Sequence, residues 1–440
     1  MSDKIIIKGG RELTGEVTIG GAKNAVLKFM AASLLLDDIC EINNVPELTD
    51  VRTMIEVINH LGVKTEYNTQ ESSLIINAKH ITNSEACYEH VSKMRASFNV
   101  LGALLGRCKE ARVALPGGCA IGERRIDWHI KGLEALGATI KIDGGYVVAK
   151  ATKLVGAEIH LDRPSVGATE NIMLAAVLAE GSTIITNAAQ EPEIIDLANF
   201  LNAIGADVNG AGTSELVING VRQSDLHSTV YTTIPDRIEA GTYMAAIVAT
   251  RGKAIIRNVF PTHLSAVMSK LTDMGVQVTI IDPFSVEVSC HGRPNAVDIV
   301  TQPYPGFPTD LQSPFMSALT VAKGISIITE SIYENRFRQV GELRRMGADV
   351  QQESSHAIVK GVKHLTGTQI KASDLRAGAS LIVASLCAHG VSEIENLQFI
   401  DRGYEKLVEK LSGLGADIKR VNDDTPPSEL NTLNYDEIKI

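Results

Sequence analysis

His60-Leu61-Gly62-Val63, Ala135-Leu136-Gly137-Ala138, Ala203-Ile204-Gly205-Ala206, Asp273-Met274-Gly275-Val276, Arg345-Met346-Gly347-Ala348 and Gly413-Leu414-Gly415-Ala416 are six versions of one phrase. Each is a bulky apolar residue, a glycine and a small residue, followed by a β-prone run. A lone Leu-Gly pair is common, but six at a period of roughly 70 residues mark an internal repeat. Upstream of each glycine the same parts recur. A small-residue apolar helix comes first (Ala25 to Leu36, Phe98 to Leu105, Ile172 to Ala179, Tyr243 to Ala249, Phe315 to Ala322, Ala379 to Ala388). A turn and a strand follow, as at Thr183 to Thr186 or Ala254 to Arg257. A second, amphipathic helix then ends at the repeat glycine, which suits a left-handed C-terminal cap. A strand such as Val276 to Ile280 closes the unit.

The first helix of each unit is apolar nearly all round and should be buried, whereas the second should face water on one side. Helix–strand alternation at this period fits a solenoid, a doubly wound sheet or a ring of repeats. Six units divide naturally into two α/β (α+β) domains of three, with buried helices inside and sheets outside. The predicted boundaries are 22–231 for repeats one to three, including a loop at 115–125, and 1–21 with 232–421 for repeats four to six. The strand Lys4 to Lys8 precedes the first unit and could complete the last one. The tail 422–440, with Pro426-Pro427 and several acids, has no place in a repeat and is expected to be disordered.

Composition narrows the class. A chain of 440 residues exceeds the size at which one core stops growing. The net charge of −10 argues against a nucleic-acid binder, so any anionic ligand must be met by locally focused cations. Apolar stretches such as Ile172 to Ala179 fall short of the ~18–20 residues needed to span a bilayer. The start at Met1 to Lys8 lacks a signal-peptide layout. The six cysteines form no C-x-x-C pair and the histidines show no metal-ligand spacing. These features point to a cytoplasmic protein with reduced thiols, no membrane partner and no metal.

Polar residues open the buried helices: Lys23-Asn24, Arg95, Gly167, Arg237, Asp310 and Arg376. Helix N-termini favour anions, so Lys or Arg there does nothing for the helix itself. As a set these positions read as a site. The second repeat is longer than the others by a glycine-rich loop, Leu115-Pro116-Gly117-Gly118-Cys119-Ala120-Ile121-Gly122-Glu123-Arg124-Arg125. Adjacent cations lower a thiol pKa, which marks Cys119 as reactive. Gly20-Gly21-Ala22-Lys23-Asn24 lacks the full phosphate-loop pattern, so an ATPase is not indicated. His129 and His291 read as structural histidines.

The chain resembles the UDP-N-acetylglucosamine enolpyruvyl transferase family from about residue 4 to 421. The resemblance is carried by Gly21-Ala22-Lys23-Asn24-Ala25, Pro116-Gly117-Gly118-Cys119, Ser165-Val166-Gly167-Ala168-Thr169, Glu191-Pro192-Glu193 and Pro235-Asp236-Arg237-Ile238-Glu239. It continues in Phe307-Pro308-Thr309-Asp310, Glu334-Asn335-Arg336-Phe337, Asp374-Leu375-Arg376-Ala377 and Asp401-Arg402-Gly403-Tyr404. It implies two inside-out, barrel-like α/β domains of three repeats, and transfer of the enolpyruvyl group of phosphoenolpyruvate to the 3-hydroxyl of UDP-N-acetylglucosamine. That reaction is the first committed step of peptidoglycan precursor synthesis.

By the same resemblance Lys23, Arg124 and Arg402 would hold the phosphate and carboxylate of phosphoenolpyruvate, with Asn24 near the reacting centre. Arg95, then Arg124, Arg125, Ile126, Asp127 and Trp128, and Arg163, Pro164, Ser165 and Val166 would bind the uridine diphosphate. Asp310 and Ile332 would hold the sugar, and Asp374 and Arg376 belong to the substrate-binding set. Asp310 would take the hydroxyl proton, and Cys119 would protonate the methylene carbon or form an adduct. Neither metal nor cofactor is implied, and the oligomeric state is left open. The chain departs from the family at Arg125, usually proline, and at Trp128, usually aliphatic. Rival readings are the shikimate-pathway enolpyruvyl transferase, which lacks the Cys loop, and a catalytically silent repeat scaffold.

Overall fold

The computed structural model describes residues 3–116, 122 and 126–422; Cys119, Arg124, Arg125 and the tail from 423 lie outside the described residues. Contacts divide the chain into two units. One is Met1–Gly20 with Ala120–Glu123 and Pro235–Ile440, and the other is Gly21–Cys119 with Arg124–Ile234. Each has its own apolar core and three four-stranded sheets. No helix among the described residues is long and apolar enough to cross a membrane.

The third repeat shows the common plan. After the edge strand Glu158–His160 come the helix Val166–Ala176, the strand Ser182–Thr186, the helix Pro192–Ala203 and the hairpin Asp207–Asn209 with Glu215–Asn219. The edge strand runs parallel to Ser182–Thr186, which is antiparallel to Glu215–Asn219, itself antiparallel to Asp207–Asn209. The sequence suggests one closing strand where the structure has a hairpin, and it gives no sign of the edge strand. Three residues are too few for a period of two to register.

The sixth repeat borrows its third strand. Lys4–Lys8 lies between Val391–Glu395 and Asp417–Val421, antiparallel to both, in the place that Glu215–Asn219 holds in the third repeat. Ile5, Ile6 and Ile7 are all buried, which suits an unbroken apolar run in a central strand. Thr14–Thr18 likewise serves the fourth repeat as its parallel edge.

Local chemistry explains the turns. The six repeat glycines, 62, 137, 205, 275, 347 and 415, all have φ between +80° and +100°, where a Cβ is strained. At the ends of four first strands, Asn44, Asn187, Asn258 and Asn396 adopt the left-handed conformation that asparagine tolerates. Their amides donate to the carbonyls of Thr233, Leu161, Ile19 and Ala372 at 2.7–3.1 Å, tying each strand end to its edge strand.

In the unit containing Pro235–Ile440, the helices Arg237–Ala249, Thr309–Thr320 and Leu375–Cys387 pack on one another. Every residue of the first is buried. In the other unit Val100–Cys108 packs on Val166–Ala176. There Gly102 permits close approach, since a Cβ would lie 2.1 Å from the Asn171 carbonyl oxygen. Strands alternate in burial, as in Ile325–Thr329, so within each unit the sheets turn one face to solvent and the other to the helices.

Candidate active site

In the unit containing Pro235–Ile440, three first helices begin differently. Asp236 caps Arg237–Ala249, accepting from the amides of Ile238 (2.8 Å) and Glu239 (3.0 Å). Asp374 caps Leu375–Cys387, accepting from Arg376 and Ala377 at 3.0 Å each. Thr309–Thr320 has no side-chain cap, and Asp310, its second residue, turns its carboxylate to two arginines. Arg336 donates Nη2 to Oδ1. Arg376 donates Nε (3.1 Å) and Nη2 (2.8 Å) to Oδ2. The Asp310 side chain is 26% exposed, while those of Arg336 and Arg376 are 4% and 5% exposed. A carboxylate that reaches solvent is thus held by two cations that do not.

The network continues inward. Arg376 Nη1 donates to the Tyr404 hydroxyl at 3.1 Å, and that hydroxyl lies 2.9 Å from Thr242 Oγ1. Burial opposes the Arg376 charge, but Tyr404, Asp310 and Asp236 outweigh it and hold the guanidinium above its ordinary value. On the other flank, Glu330 occupies the strand-end position where four other repeats carry asparagine. Its Oε1 accepts from Thr301 Oγ1 (2.8 Å) and the amides of Ile332 (2.9 Å) and Tyr333 (3.2 Å), and its Oε2 accepts from Thr309 (3.0 Å). One buried carboxylate therefore sets both the start of the Asp310 helix and the Ile332 backbone. Arg402 closes the 3₁₀ turn Leu397–Arg402 and is half-buried.

In the unit containing Gly21–Cys119, Lys23 opens Lys23–Ala32 with its Nζ 3.1 Å from Asp50 Oδ2, and Asn24 beside it is half-buried. One turn on, Lys28 pairs with Glu170 at 3.0 Å. Glu170 Oε2 also accepts from Asn99 Nδ2 at 2.7 Å, whereas its buried Oε1 has no partner. Burial raises the Glu170 pKa against the pull of Lys28 and Asn99.

Asn171 Nδ2 lies 2.9 Å from His129 Nδ1. Burial, with the charges of Arg95 and Lys28, pushes His129 down to about 3, so its ring is neutral at physiological pH. A Cβ on Gly167 would come within 3.1 Å of the same ring. His129 therefore links the helix Asp127–Ala135 to the helix Val166–Ala176. Ile126, Trp128, Pro164, Ser165 and Val166 near these starts are half-buried, while Asp127 and Arg163 are exposed. Ser165 caps its helix through Ala168 N at 3.4 Å.

Arg336, Glu330, Lys28, Glu170 and Asp50 are given no role by the sequence analysis. Two of them leave a signal in the sequence: Arg336 lies within a resemblance motif, and Glu330 is a charged residue at a strand end where four repeats carry asparagine. His60, Cys87 and His90, which show no metal-ligand spacing in the sequence, come together in the fold.

The family description EPSP synthase (3-phosphoshikimate 1-carboxyvinyltransferase) matches residues 7–411. The chain is 52% identical over 422 residues to the UDP-N-acetylglucosamine 1-carboxyvinyltransferase 2 of Carboxydothermus hydrogenoformans, covering 96% of this chain and 100% of that one. It is 51% identical over 426 residues to the UDP-N-acetylglucosamine 1-carboxyvinyltransferase of Gloeobacter violaceus, covering 97% and 92%. Among solved structures, the enolpyruvyl transferase NikO from Streptomyces tendae matches with a TM-score of 0.86 at 26% identity, covering 96% of this chain and 99% of that one. EPSP synthase from Acinetobacter baumannii shares the fold at a TM-score of 0.72 and 19% identity, covering 96% and 100%.

Proposed function

We infer how these residues work from one premise: the chain belongs to the EPSP synthase family of enolpyruvyl transferases and has the activity its half-identical relatives are named for, 1-carboxyvinyl transfer to UDP-N-acetylglucosamine. Phosphoenolpyruvate donates the group, the sugar 3-hydroxyl accepts it and phosphate leaves, a step of peptidoglycan precursor synthesis. A proton adds to the methylene carbon, and the neighbouring carbon becomes oxocarbenium-like. The hydroxyl oxygen bonds to that carbon as its proton passes to a base. The resulting ketal then loses phosphate and a methyl proton to give the enol ether.

Asp310 takes the hydroxyl proton. The hydroxyl becomes acidic only as its oxygen bonds to the cationic carbon, so a carboxylate held by two guanidiniums is base enough. Arg336 and Arg376 fix the direction of that carboxylate, and Glu330 fixes Ile332, which holds the sugar. Lys23, Arg124 and Arg402 hold the phosphate and carboxylate of phosphoenolpyruvate, whose charge requires several converging cations. Asn24 stands by the reacting centre and Cys119 supplies the proton to carbon. Arg95, Arg124 to Trp128 and Arg163 to Val166 bind the uridine diphosphate, and Asp374 and Arg376 complete the set.

The observation that carries this reading is the partly exposed Asp310 carboxylate held by two buried arginines at the start of Thr309–Thr320. The test is phosphate release from phosphoenolpyruvate with purified protein. Release is expected with UDP-N-acetylglucosamine. Release with shikimate 3-phosphate instead, or with neither acceptor, would overturn the assignment.

A further inference from the structure

Outside the residues used above, one group of ligand-type side chains stands together among the described residues. The donor atoms of His60, Cys87 and His90 lie within 4.8 Å of one another. His60 is the last residue of Thr49–His60, Cys87 precedes the short helix Tyr88–Val91, and His90 lies within it. The two helices pack together, and the imidazole centroids are 5.6 Å apart. His90 Nδ1 is buried and makes no hydrogen bond. The carboxylate facing it, Glu56 Oε2, stands 3.5 Å away, one turn before His60 on the same helix. Asn83 Nδ2 lies 3.4 Å from His60 Nε2, where it can orient that ring.

We propose that His60, Cys87 and His90 form a binding site for a zinc-type divalent cation, with Glu56 as the fourth ligand. Two imidazoles, one thiolate and one carboxylate match the ligand preferences of such an ion. Tetrahedral bonds of ~2.0–2.3 Å place donors ~3.3–3.7 Å apart. The three donors must therefore close by about 1 Å, which rotation of the exposed His60 at its helix end supplies, and the exposed Glu56 side chain must turn in to complete the set. On binding, Cys87 releases its thiol proton to solvent and the imidazoles bind in their neutral form. Lys93 is the nearby competing cation, with Nζ 3.6 Å from Glu56 Oε2. Its side chain is 51% exposed and can swing into water. The ion would clamp the end of Thr49–His60 to the segment that leads into Arg95.

The test uses full-length protein stripped of metal, titrated with zinc against a chromophoric chelator and separately with cobalt. One zinc per chain is expected, with a rise in melting temperature and a thiolate-to-cobalt charge-transfer absorption. Cys87→Ser should abolish that absorption, and His60→Gln should weaken zinc binding by ~10-fold or more. His60 is exposed at a helix end, so its replacement leaves the fold intact. Absence of binding would overturn the proposal, as would binding unchanged in both variants, which would place the ion elsewhere.

Discussion

Arg376 brings Nε to 3.1 Å and Nη2 to 2.8 Å of a single oxygen of Asp310, Oδ2. The other oxygen is taken by Arg336. Both arginines are buried, so the carboxylate is at once their counter-charge and the part of the trio that reaches solvent. An aspartate near a helix start invites a capping explanation, but the carboxylate of this one is turned to two arginines. Two consequences follow from one side chain: loss of its charge should harm chemistry, and it should also leave two buried cations under-compensated.

Asp310→Asn is therefore expected to lower turnover by roughly 10²–10⁴-fold. It should also lower stability by ~1–3 kcal/mol, because the amide still accepts hydrogen bonds but carries no charge. Circular dichroism and turnover measured on the same sample, well below its melting temperature, separate the two effects. A folded variant with turnover within a few-fold of the parent would remove Asp310 from the chemistry.

Glu330 acts at one remove, by fixing the Ile332 and Tyr333 amides and Thr309. Glu330→Ala leaves buried donors unpaired, at a cost of ~1–3 kcal/mol for each group that water does not reach. The expected result is a lower melting temperature and a raised KM for the sugar nucleotide, with the KM for phosphoenolpyruvate little changed. Glu330→Gln, which keeps acceptors and can donate to Thr309, should recover most of both losses. Equal rises in both KM values would show general loosening rather than positioning of Ile332.

Burial pushes the thiols of Cys40 and Cys387 up to about 12, and it also raises Cys108 and Cys290. Those four are poor nucleophiles at neutral pH. An electrophilic epoxide that mimics phosphoenolpyruvate should accordingly alkylate Cys119 first, and faster with the sugar nucleotide present. Peptide mass mapping reads the order directly, and prior labelling of Cys87 or Cys290 would defeat the prediction. Cys119→Asp should keep part of the activity, since a carboxylic acid also donates a proton, and should escape alkylation.

Asp196 and His129 give stability opposite dependences on pH. Burial pushes Asp196 up to about 6, against its bonds from Tyr231 and Ile234 and with help from Glu193. The folded chain holds that proton more tightly than the unfolded one. Its stabilising contribution is thus present below about pH 4 and lost as pH rises to about 6. His129, pushed down to about 3, contributes stability above about pH 6.5 that is lost as pH falls. Between about pH 4 and 6 the two partly cancel. In Asp196→Asn that opposition to the histidine is removed, so melting temperature should fall more steeply on acidification from pH 6.5 to 4 than in the parent. Parallel curves for variant and parent would show that Asp196 titrates normally.

The period, the positive φ of the repeat glycines and the burial of the first helices were legible because each rests on a few adjacent residues. A glycine at a helix end answers a local steric demand, and a stripe of alanines answers a local period. The resemblance motifs likewise named Asp310 and Arg376 as a run of adjacent letters. Edge strands such as Ile299–Val300 were not legible, because two residues carry no period and their pairing is set by the neighbouring strand. The place of Lys4–Lys8 as the third strand of the last repeat was legible only as an option; the sheet register decided it. The hold of Arg336 and Arg376 on Asp310, the hub at Glu330 and the meeting of His60 with Cys87 and His90 belong to tertiary structure alone. Each joins side chains from elements separated in the chain, and only packing of those elements sets such distances.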